Sequence, residues 1–327
     1  MSPGRVRSAA DRATARRHRV PGSLRVRREC HGPRPSGQHP CGKCRKSAVS
    51  AGPASPTSGE ASNDPAESFD RSARAYEQMV ALNRAGSERL VRSLPGEPFA
   101  RVLDVGCGTG FATMRVVERG GVREVVGVDP SPPMLEVFAE HLSAHPEITA
   151  DLRASTAEQT GVPDGWADLV LCTMALHWMP DRPAAIREMA RALRPGGVLA
   201  LLAPGERHDR PTVDIIEATG DPLIIRLATS IVSNEIPVGW LTGQMHDAGL
   251  EPVDVWAETR ERAVPPDALA DRMDAVATHL WAELPEDEQA DVLRRAREVL
   301  RAAAGPDGLY RYQFVKTFAL ARAPGGA

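Results

Sequence analysis

The chain has 327 residues, of which 42% are hydrophobic and 25% are charged, so it is long enough for one large domain or two small ones. Its net charge of −3 combines a strongly basic segment, residues 1–50 with a charge of +11, and a remainder with a charge of −14. The acidic remainder argues against broad binding to nucleic acid, and without an 18-residue apolar run no membrane span is expected.

Residues 1–64 are rich in Arg, Pro, Gly and Ser and have almost no aromatic residues, a composition that predicts a disordered basic arm. The arm lacks the apolar stretch of a secretory signal, so the expected compartment is the cytoplasm. Cys30, Cys41 and Cys44 lie near two histidines, but a second regular cysteine pair and apolar residues to pack around a metal are missing. We therefore predict no metal site.

A glycine-rich loop follows the first strand that the sequence predicts within the folded part of the chain. The short apolar run Arg101–Val105 is typical of a buried parallel strand, and Phe111–Arg119 has the pattern of a helix. Between them lie three glycines at alternate positions, Gly106, Gly108 and Gly110. Such glycines allow a tight turn and leave bare main chain beside a ligand at the N-terminus of the helix.

Two acidic residues indicate which kind of ligand the glycine-rich loop could bind. Asp104, two residues before the first glycine, would repel a pyrophosphate, and the spacing G-x-G-x-G differs from the G-x-G-x-x-G of nicotinamide-binding proteins. A nicotinamide oxidoreductase is therefore disfavoured, whereas a ligand with a positively charged end suits this carboxylate. Asp129 ends the next apolar run, about twenty residues after the glycines, where doubly wound sheets place an acid that binds a ribose diol.

The segments after Asp129 continue the alternation of strands and helices. Strands are predicted at Leu152–Thr156, Asp168–Met174 and Val198–Leu202, with the helix Ala184–Leu193 before the last of them. This spacing implies a parallel sheet covered by helices on both faces. The C-terminal third is predicted to contain a weakly helical stretch (Thr212–Val232), a helix (Gly239–Ala248), a strand (Pro252–Glu258), two amphipathic helices (Pro266–Leu284 and Glu286–Ala304) and a final strand (Tyr310–Ala321).

Taken in order, these segments resemble the class I S-adenosylmethionine-dependent methyltransferases that act on small molecules. The matching segments are VLDVGCGTG (102–110), VVGVDPSPPML (125–135), STAEQ (155–159), DLVLCTMALHWMPD (168–181) and REMARALRPGGVLAL (187–201), together with FDRSARAY (69–76), which resembles the family's first helix. The resemblance implies an α/β Rossmann-like methyltransferase fold, a doubly wound and mostly parallel seven-stranded sheet with an antiparallel last strand. It divides the domain, residues 65–327, into a cofactor-binding core (65–205) and a part with lid helices and the last strands (206–327).

The resemblance also implies S-adenosyl-L-methionine as the cofactor. Gly106, Gly108 and Gly110 would line its methionine and ribose portion. Asp104 would face the cationic amino-acid end through water or through the backbone that it organises. Asp129 would accept hydrogen bonds from the ribose hydroxyls.

The adenine end is assigned to three further residues. Met134 would pack on the adenine face, although a core methionine is an equally good interpretation of this position. Ala157 would meet the adenine edge through its backbone, and Glu158 through its side chain or a water molecule.

The acceptor side is less well defined, and His177 and Tyr76 are the candidate catalytic residues. His177 follows a strand at the edge where open α/β sheets place their ligands, so it could be a general base or simply a wall of the pocket. Tyr76 lies on the helix with which the family closes over its cofactor. Other aromatic or histidine candidates are Trp178, His208, Trp240, His279 and Trp281.

The predicted function is methyl transfer to oxygen or carbon of a small-molecule acceptor. A carboxylate would need no base, a phenol or enol would need modest deprotonation, and a carbon acceptor would require a stabilised carbanion. The sequence after the fourth strand, TMALHW, lacks the Asp/Asn-Pro-Pro-aromatic run of methyltransferases that act on base amines. The alternative is a non-catalytic S-adenosylmethionine-fold protein that binds a partner or RNA through the basic arm. An intact glycine loop together with Asp129 favours catalysis.

Overall fold

The computed structural model describes residues 25–28, 81–206, 210–225, 234–276 and 285–325. In these ranges the strands are β1 (Arg25–Arg28), β2 (Arg101–Val105), β3 (Glu124–Asp129), β4 (Thr149–Ala154), β5 (Ala167–Thr173), β6 (Leu193–Pro204), β7 (Glu251–Val264) and β8 (Tyr310–Arg322). The helices are α1 (Ala81–Ser93), α2 (Phe111–Val117), α3 (Pro132–Leu142), α4 (Arg182–Ala192), α5 (Arg210–Glu217), α6 (Val238–Asp247), α7 (Pro266–Val276) and α8 (Glu286–Ala302), with a 3₁₀ turn at Leu176–Trp178.

The strands form one sheet in the order β1-β4-β3-β2-β5-β6-β8-β7. All neighbours from β1 to β6 are parallel, whereas β8 runs antiparallel to both β6 and β7. The chain order reverses between β2 and β5, so the connections that leave these two strands diverge and open a crevice at their carboxyl ends. The predicted doubly wound, mostly parallel sheet with an antiparallel last strand is confirmed.

The sheet has one strand more than the seven that were predicted. β1 belongs to the segment predicted to be a disordered arm, yet residues 25–28 pair in parallel with Asp151–Ala154 of β4. This pairing covers main-chain groups that would otherwise form an open sheet edge. The rest of the predicted arm, including Cys30, Cys41 and Cys44, lies outside the described residues.

Two apolar clusters, one on each face, hold the sheet between its helices. Successive residues of a strand point to opposite faces, so Leu103 packs in one cluster with Ile186 and Met189, while Val102 packs in the other with Phe138. The central strands β5 and β6 are buried on both faces, which explains their nearly continuous apolar sequences.

β7 and β8 extend beyond the carboxyl edge of the parallel strands. β7 was predicted to end at Glu258, but pairing with β8 continues to Val264. The charged residues after Glu258 conceal this extension in the sequence, because a largely exposed edge strand has little apolar patterning. Beyond the edge, Tyr310, Tyr312 and Phe314 pack with α5, α7 and α8 into a third apolar cluster.

Smaller differences concern where elements begin. β4 starts at Thr149, three residues earlier than predicted, because exposed and buried residues alternate there instead of forming an apolar run. The described part of α7 ends at Val276, and residues 277–284 of the predicted helix lie outside the described residues.

No helix in the described part of the chain is long and apolar enough to cross a bilayer.

Candidate active site

A cavity of about 330 Å³ opens at the carboxyl edge of the sheet, where β2 and β5 diverge. Its walls are the glycine loop after β2, the end of β3, the loop after β4, the segment after β5 and the inner face of α1. This volume is within the range of roughly 300–1,000 Å³ that is usual for small-molecule sites.

The three glycines of the loop all have positive φ angles, of 68°, 51° and 79°, but their surroundings differ. A Cβ on Gly106 would overlap the Cβ of Ala175, and a Cβ on Gly110 would overlap the ring of Phe138. A Cβ on Gly108 would meet nothing within 4 Å. Gly106 and Gly108 line the cavity, whereas Gly110 lies outside its lining and packs on Phe138. Gly108 is therefore the position where a ligand can approach bare main chain most freely.

Asp129 fixes the loop against the end of β3. Its Oδ2 accepts a hydrogen bond from the Gly108 amide at 2.9 Å, and its Oδ1 accepts one from the Ser131 amide at 2.9 Å. The carboxylate also lines the cavity. Because each carboxylate oxygen can accept more than one hydrogen bond, Asp129 can hold the loop and still bind ligand hydroxyls.

An apolar slot with one carboxylate lies beside Asp129. Met134 on α3 is only 2% exposed, yet it contributes to the cavity wall, so it is a core residue and a lining residue at once. Ser131 caps α3 by accepting a hydrogen bond from the Met134 amide, which sets the start of this helix. Ala157 and Glu158 line the cavity from the loop after β4. This part of the wall combines the apolar Met134 and Ala157 with the Glu158 carboxylate, the three residues that the resemblance assigns to adenine.

Asp104 lies below the glycine loop rather than in the cavity lining. The side chain is 1% exposed, and its Oδ2 accepts a hydrogen bond from the Thr113 hydroxyl at 2.6 Å. Burial raises the pKa of the Asp104 carboxyl to about 7, against the effect of the Thr113 hydrogen bond and with a contribution from the charge of Asp129. The hydrogen bond joins the end of β2 to the first turn of α2, and so braces the two ends of the loop.

The short 3₁₀ turn after β5 places its two candidate residues differently. Trp178 lines the cavity, but His177 is 7% exposed and does not. The His177 ring packs on Trp178, with ring centroids 4.9 Å apart, and its carbonyl accepts a hydrogen bond from Arg182. The imidazole is therefore part of the protein interior, which favours a packing role over a general base.

The other acceptor-side candidates are not among the described residues that line the cavity. Trp240 packs against the core cluster of the α4 face. Tyr76, His208, His279 and Trp281 lie outside the described residues, so a catalytic role for Tyr76 stays a prediction.

The sequence analysis named Trp178 but missed the residues that α1 contributes and, directly after β5, Met174. Arg84 and Ser87, three residues apart on one face of α1, line the cavity, and the Arg84 guanidinium lies 5.2 Å from the centre of the Phe111 ring. Met174 also lines the cavity, and in the described ranges it is the one non-glycine residue with a positive φ angle, 54°. Backbone strain of this kind is concentrated at functional sites, but no sequence motif announces it.

The different surroundings of two glycines give a testable contrast. Gly110→Ala should destabilise the fold by several kcal/mol, because its Cβ would overlap the Phe138 ring. Gly108→Ala should cost only the left-handed backbone strain of about 1–2 kcal/mol and remain folded, but its methyl group would occupy the cavity and abolish S-adenosylmethionine binding. Urea denaturation and calorimetric titration measure the two effects. Equal destabilisation by both substitutions would contradict this assignment.

Comparison with known proteins supports the family that the site indicates. Residues 103–201 match the family described as "Methyltransferase domain". The chain is 30% identical over 242 residues to a trans-aconitate 2-methyltransferase of Azoarcus, an alignment that covers 73% of this chain and 92% of the relative. It is 36% identical over 146 residues to a malonyl-[acyl-carrier protein] O-methyltransferase of Serratia marcescens, covering 44% of this chain and about half, 54%, of that relative's length.

A solved structure with a similar fold is phosphoethanolamine N-methyltransferase 2 of Haemonchus contortus, determined in complex with S-adenosyl-L-methionine. The TM-score is 0.50 at 18% identity, over 79% of this chain and 57% of that one. The similarity to this structure concerns the fold, while the Azoarcus relative matches in sequence along nearly its whole length. The chain belongs to the class I S-adenosylmethionine-dependent methyltransferases.

Proposed function

We propose that the protein transfers a methyl group from S-adenosylmethionine to oxygen or carbon of a small-molecule acceptor. Of these two, we propose in the second part that the acceptor atom is an oxygen, and specifically a carboxylate oxygen. The observation that carries the second part is the composition of the cavity wall. The described lining residues include one cation, Arg84, and no histidine, lysine or tyrosine. A carboxylate is the acceptor that needs a cation to hold it and no base to activate it.

The residues of the cavity fit the cofactor. Asp129 can accept hydrogen bonds from a ribose diol, and the open Cα of Gly108 allows close approach. Met134 and Ala157 form the slot for adenine, with Glu158 at its edge. The described charges of the lining, two carboxylates and one guanidinium, favour a ligand with a net positive charge.

The proposed reaction requires little proton transfer by groups of the protein. When bound, S-adenosylmethionine supplies a methyl group that its sulfonium already activates, so the protein must mainly align the acceptor and exclude water. Met174, Trp178 and Met179 supply apolar surface on the acceptor side. Cys107 also lines the cavity, but burial and the charges of Asp129 and Asp104 raise the pKa of its thiol, which therefore stays neutral. It is not a base at neutral pH.

The names of two relatives agree with an anionic acceptor. Malonyl and aconitate groups, which those names specify, both carry carboxylates. The Arg84 guanidinium can donate paired hydrogen bonds to such a group in a fixed, planar geometry. We infer that Arg84 orients the acceptor carboxylate toward the methyl group.

The role of Asp129 can be tested by direct binding. Asp129→Ala should weaken S-adenosylmethionine binding by about 1–3 kcal/mol, because the ribose hydroxyls and the Gly108 amide both lose a charged acceptor. Asp164→Asn, at an exposed position outside the cavity lining, is the matched control and should bind normally. Calorimetric titration gives both affinities. Unchanged affinity in Asp129→Ala would remove this residue from the site.

The role of Arg84 can be tested with a labelled methyl donor and a panel of carboxylate, phenol and enol acceptors. We expect carboxylates to be methylated, and Arg84→Gln to raise the acceptor KM about 10- to 100-fold through loss of charged hydrogen bonds, with unchanged cofactor affinity. Arg92→Gln, an exposed substitution on the same helix, is the control. Preferential methylation of phenols would refute the carboxylate assignment. Weakened cofactor binding in Arg84→Gln would place Arg84 at the cofactor.

The interior position of His177 predicts a structural rather than a catalytic effect of its removal. His177→Ala should lower the melting temperature, because the contact with Trp178 is lost and a cavity is left. The pH dependence of kcat/KM should be the same as in the native protein. Loss of an acidic limb from that profile would instead identify His177 as the general base.

A further inference from the structure

The buried carboxyl of Asp104 is a titratable group to which the proposed reaction assigns no role. Its Oδ2 is bonded to Thr113, but its Oδ1 has no hydrogen-bond partner in the described part of the chain. An ionised carboxylate that is buried and only half satisfied is unfavourable, so the free protein gains by protonating it.

The groups that face Asp104 increase this tendency. Asp129, at the end of neighbouring β3, adds a negative charge, and the Thr113 hydroxyl of α2 is the one described group that favours the ionised form. Two neutral thiols complete the surroundings: Cys107 of the loop and Cys172 of β5, and the charge of Asp104 contributes to the raised pKa of both. In the described chain no cation contributes to the pKa of Asp104.

The position of Asp104 couples it to the cavity. The Asp104–Thr113 hydrogen bond closes the base of the loop whose Gly106 and Gly108 line the cavity. A cation that binds against this loop is separated from the carboxyl by the loop's main chain rather than by bulk water. In the low-polarity surroundings of a buried carboxyl, unit charges interact more strongly than they do in water.

Methyl transfer changes the charge at that place. The S–CH₃ bond breaks with its electron pair remaining on sulfur, and the O–CH₃ bond forms from a lone pair of the acceptor. The sulfonium is thereby replaced by a neutral thioether. Transfer therefore removes the sulfonium charge of the cofactor, while the ammonium of its amino-acid end is present before and after.

We propose that Asp104 is a charge-sensing positioning residue, which loses its proton when S-adenosylmethionine binds and regains one after transfer, so that the site prefers the cofactor, which carries the sulfonium, to the product, which does not. The inference rests on the proposed function. The proton balance closes over one cycle, since the proton released on cofactor binding is taken up when the charge disappears. The carboxyl acts through the loop and does not touch the acceptor.

The pKa of about 7 in the free protein sets the direction of the pH dependence. A bound cation lowers the pKa of Asp104, so binding of S-adenosylmethionine releases protons and tightens as the pH rises toward 7, then levels off above about pH 8. S-adenosylhomocysteine keeps the ammonium but lacks the sulfonium, so its affinity should change less over the same range.

The test is calorimetric titration of the full chain with S-adenosylmethionine and with S-adenosylhomocysteine between about pH 5.5 and 8.5. Buffers of different ionisation enthalpy give the number of protons released. In the native protein the affinity ratio of cofactor to product should increase about tenfold or more with pH, with more protons released on binding of the cofactor than of the product. In Asp104→Asn the ratio should be flat and the proton release absent. A ratio that varies equally in both proteins would overturn the proposal.

Thr113→Val tests whether the hydrogen bond from Thr113 lowers the pKa of the Asp104 carboxyl. Removing the one hydrogen bond that favours the ionised form should move the affinity transition to higher pH, whereas a role of Thr113 in shaping the loop alone would lower both affinities at every pH. Failure of the native protein to bind either compound would refute the proposed function. Binding of both compounds with a ratio independent of pH would refute only the role of Asp104.

The stability of Asp104→Asn checks the titration in the absence of ligand. Because the folded-state pKa lies above the ordinary value of 3.8, Asp104 contributes stability at low pH that is lost as the pH rises through about 7. The neutral Asn should therefore raise the melting temperature relative to the native protein more at pH 8 than at pH 5. An equal difference at the two pH values would show that Asp104 does not titrate in this range.

Discussion

The site depends on the attachment of three consecutive loop amides to the end of β3. The amides of Gly106 and Cys107 both donate to the Val128 carbonyl, at 2.8 and 3.1 Å, and the Gly108 amide donates to the Asp129 carboxylate at 2.9 Å. To direct successive amides at one strand end, the backbone must adopt positive φ at Gly106 and Gly108, which glycine does without strain. The loop is consequently held open beside Asp129 before any ligand binds, so little ordering is left for binding to require.

The same arrangement concentrates negative charge around the loop. The Asp129 carboxylate accepts hydrogen bonds from two amides, and its charge contributes to the raised pKa of the buried Asp104 behind it. A neutral ligand would leave this repulsion in place, whereas a cationic ligand relieves it. The charges around the loop therefore favour a cationic ligand, in addition to any direct contact that the ligand makes.

The sequence predicted the parts of the molecule whose local chemistry is self-contained. Arg101–Val105 was placed to the residue because an apolar run between a polar segment and a glycine loop has few alternatives, and Asp129 was found because it ends the next such run. The roles of Gly108 and Gly110 could not be separated, since the difference lies in Phe138, which is distant in sequence. His177 and Trp178 are adjacent, and the direction of a 3₁₀ turn decides which of them meets the cavity.

Gly106 of the loop after β2 and Ala175 of the segment after β5 pack directly against each other. The Cα of Gly106 leaves just enough room for the Ala175 methyl group, and Ala175 reaches it because Met174 adopts a positive φ while its amide stays bonded to the Leu202 carbonyl at 2.7 Å. The wall formed by Ala175 and Trp178 is therefore set against the cofactor loop directly, without an intervening layer of side chains. Because in-line methyl transfer depends on alignment over fractions of an ångström, a rigid contact between the two halves of the site serves the chemistry better than flexible loops would.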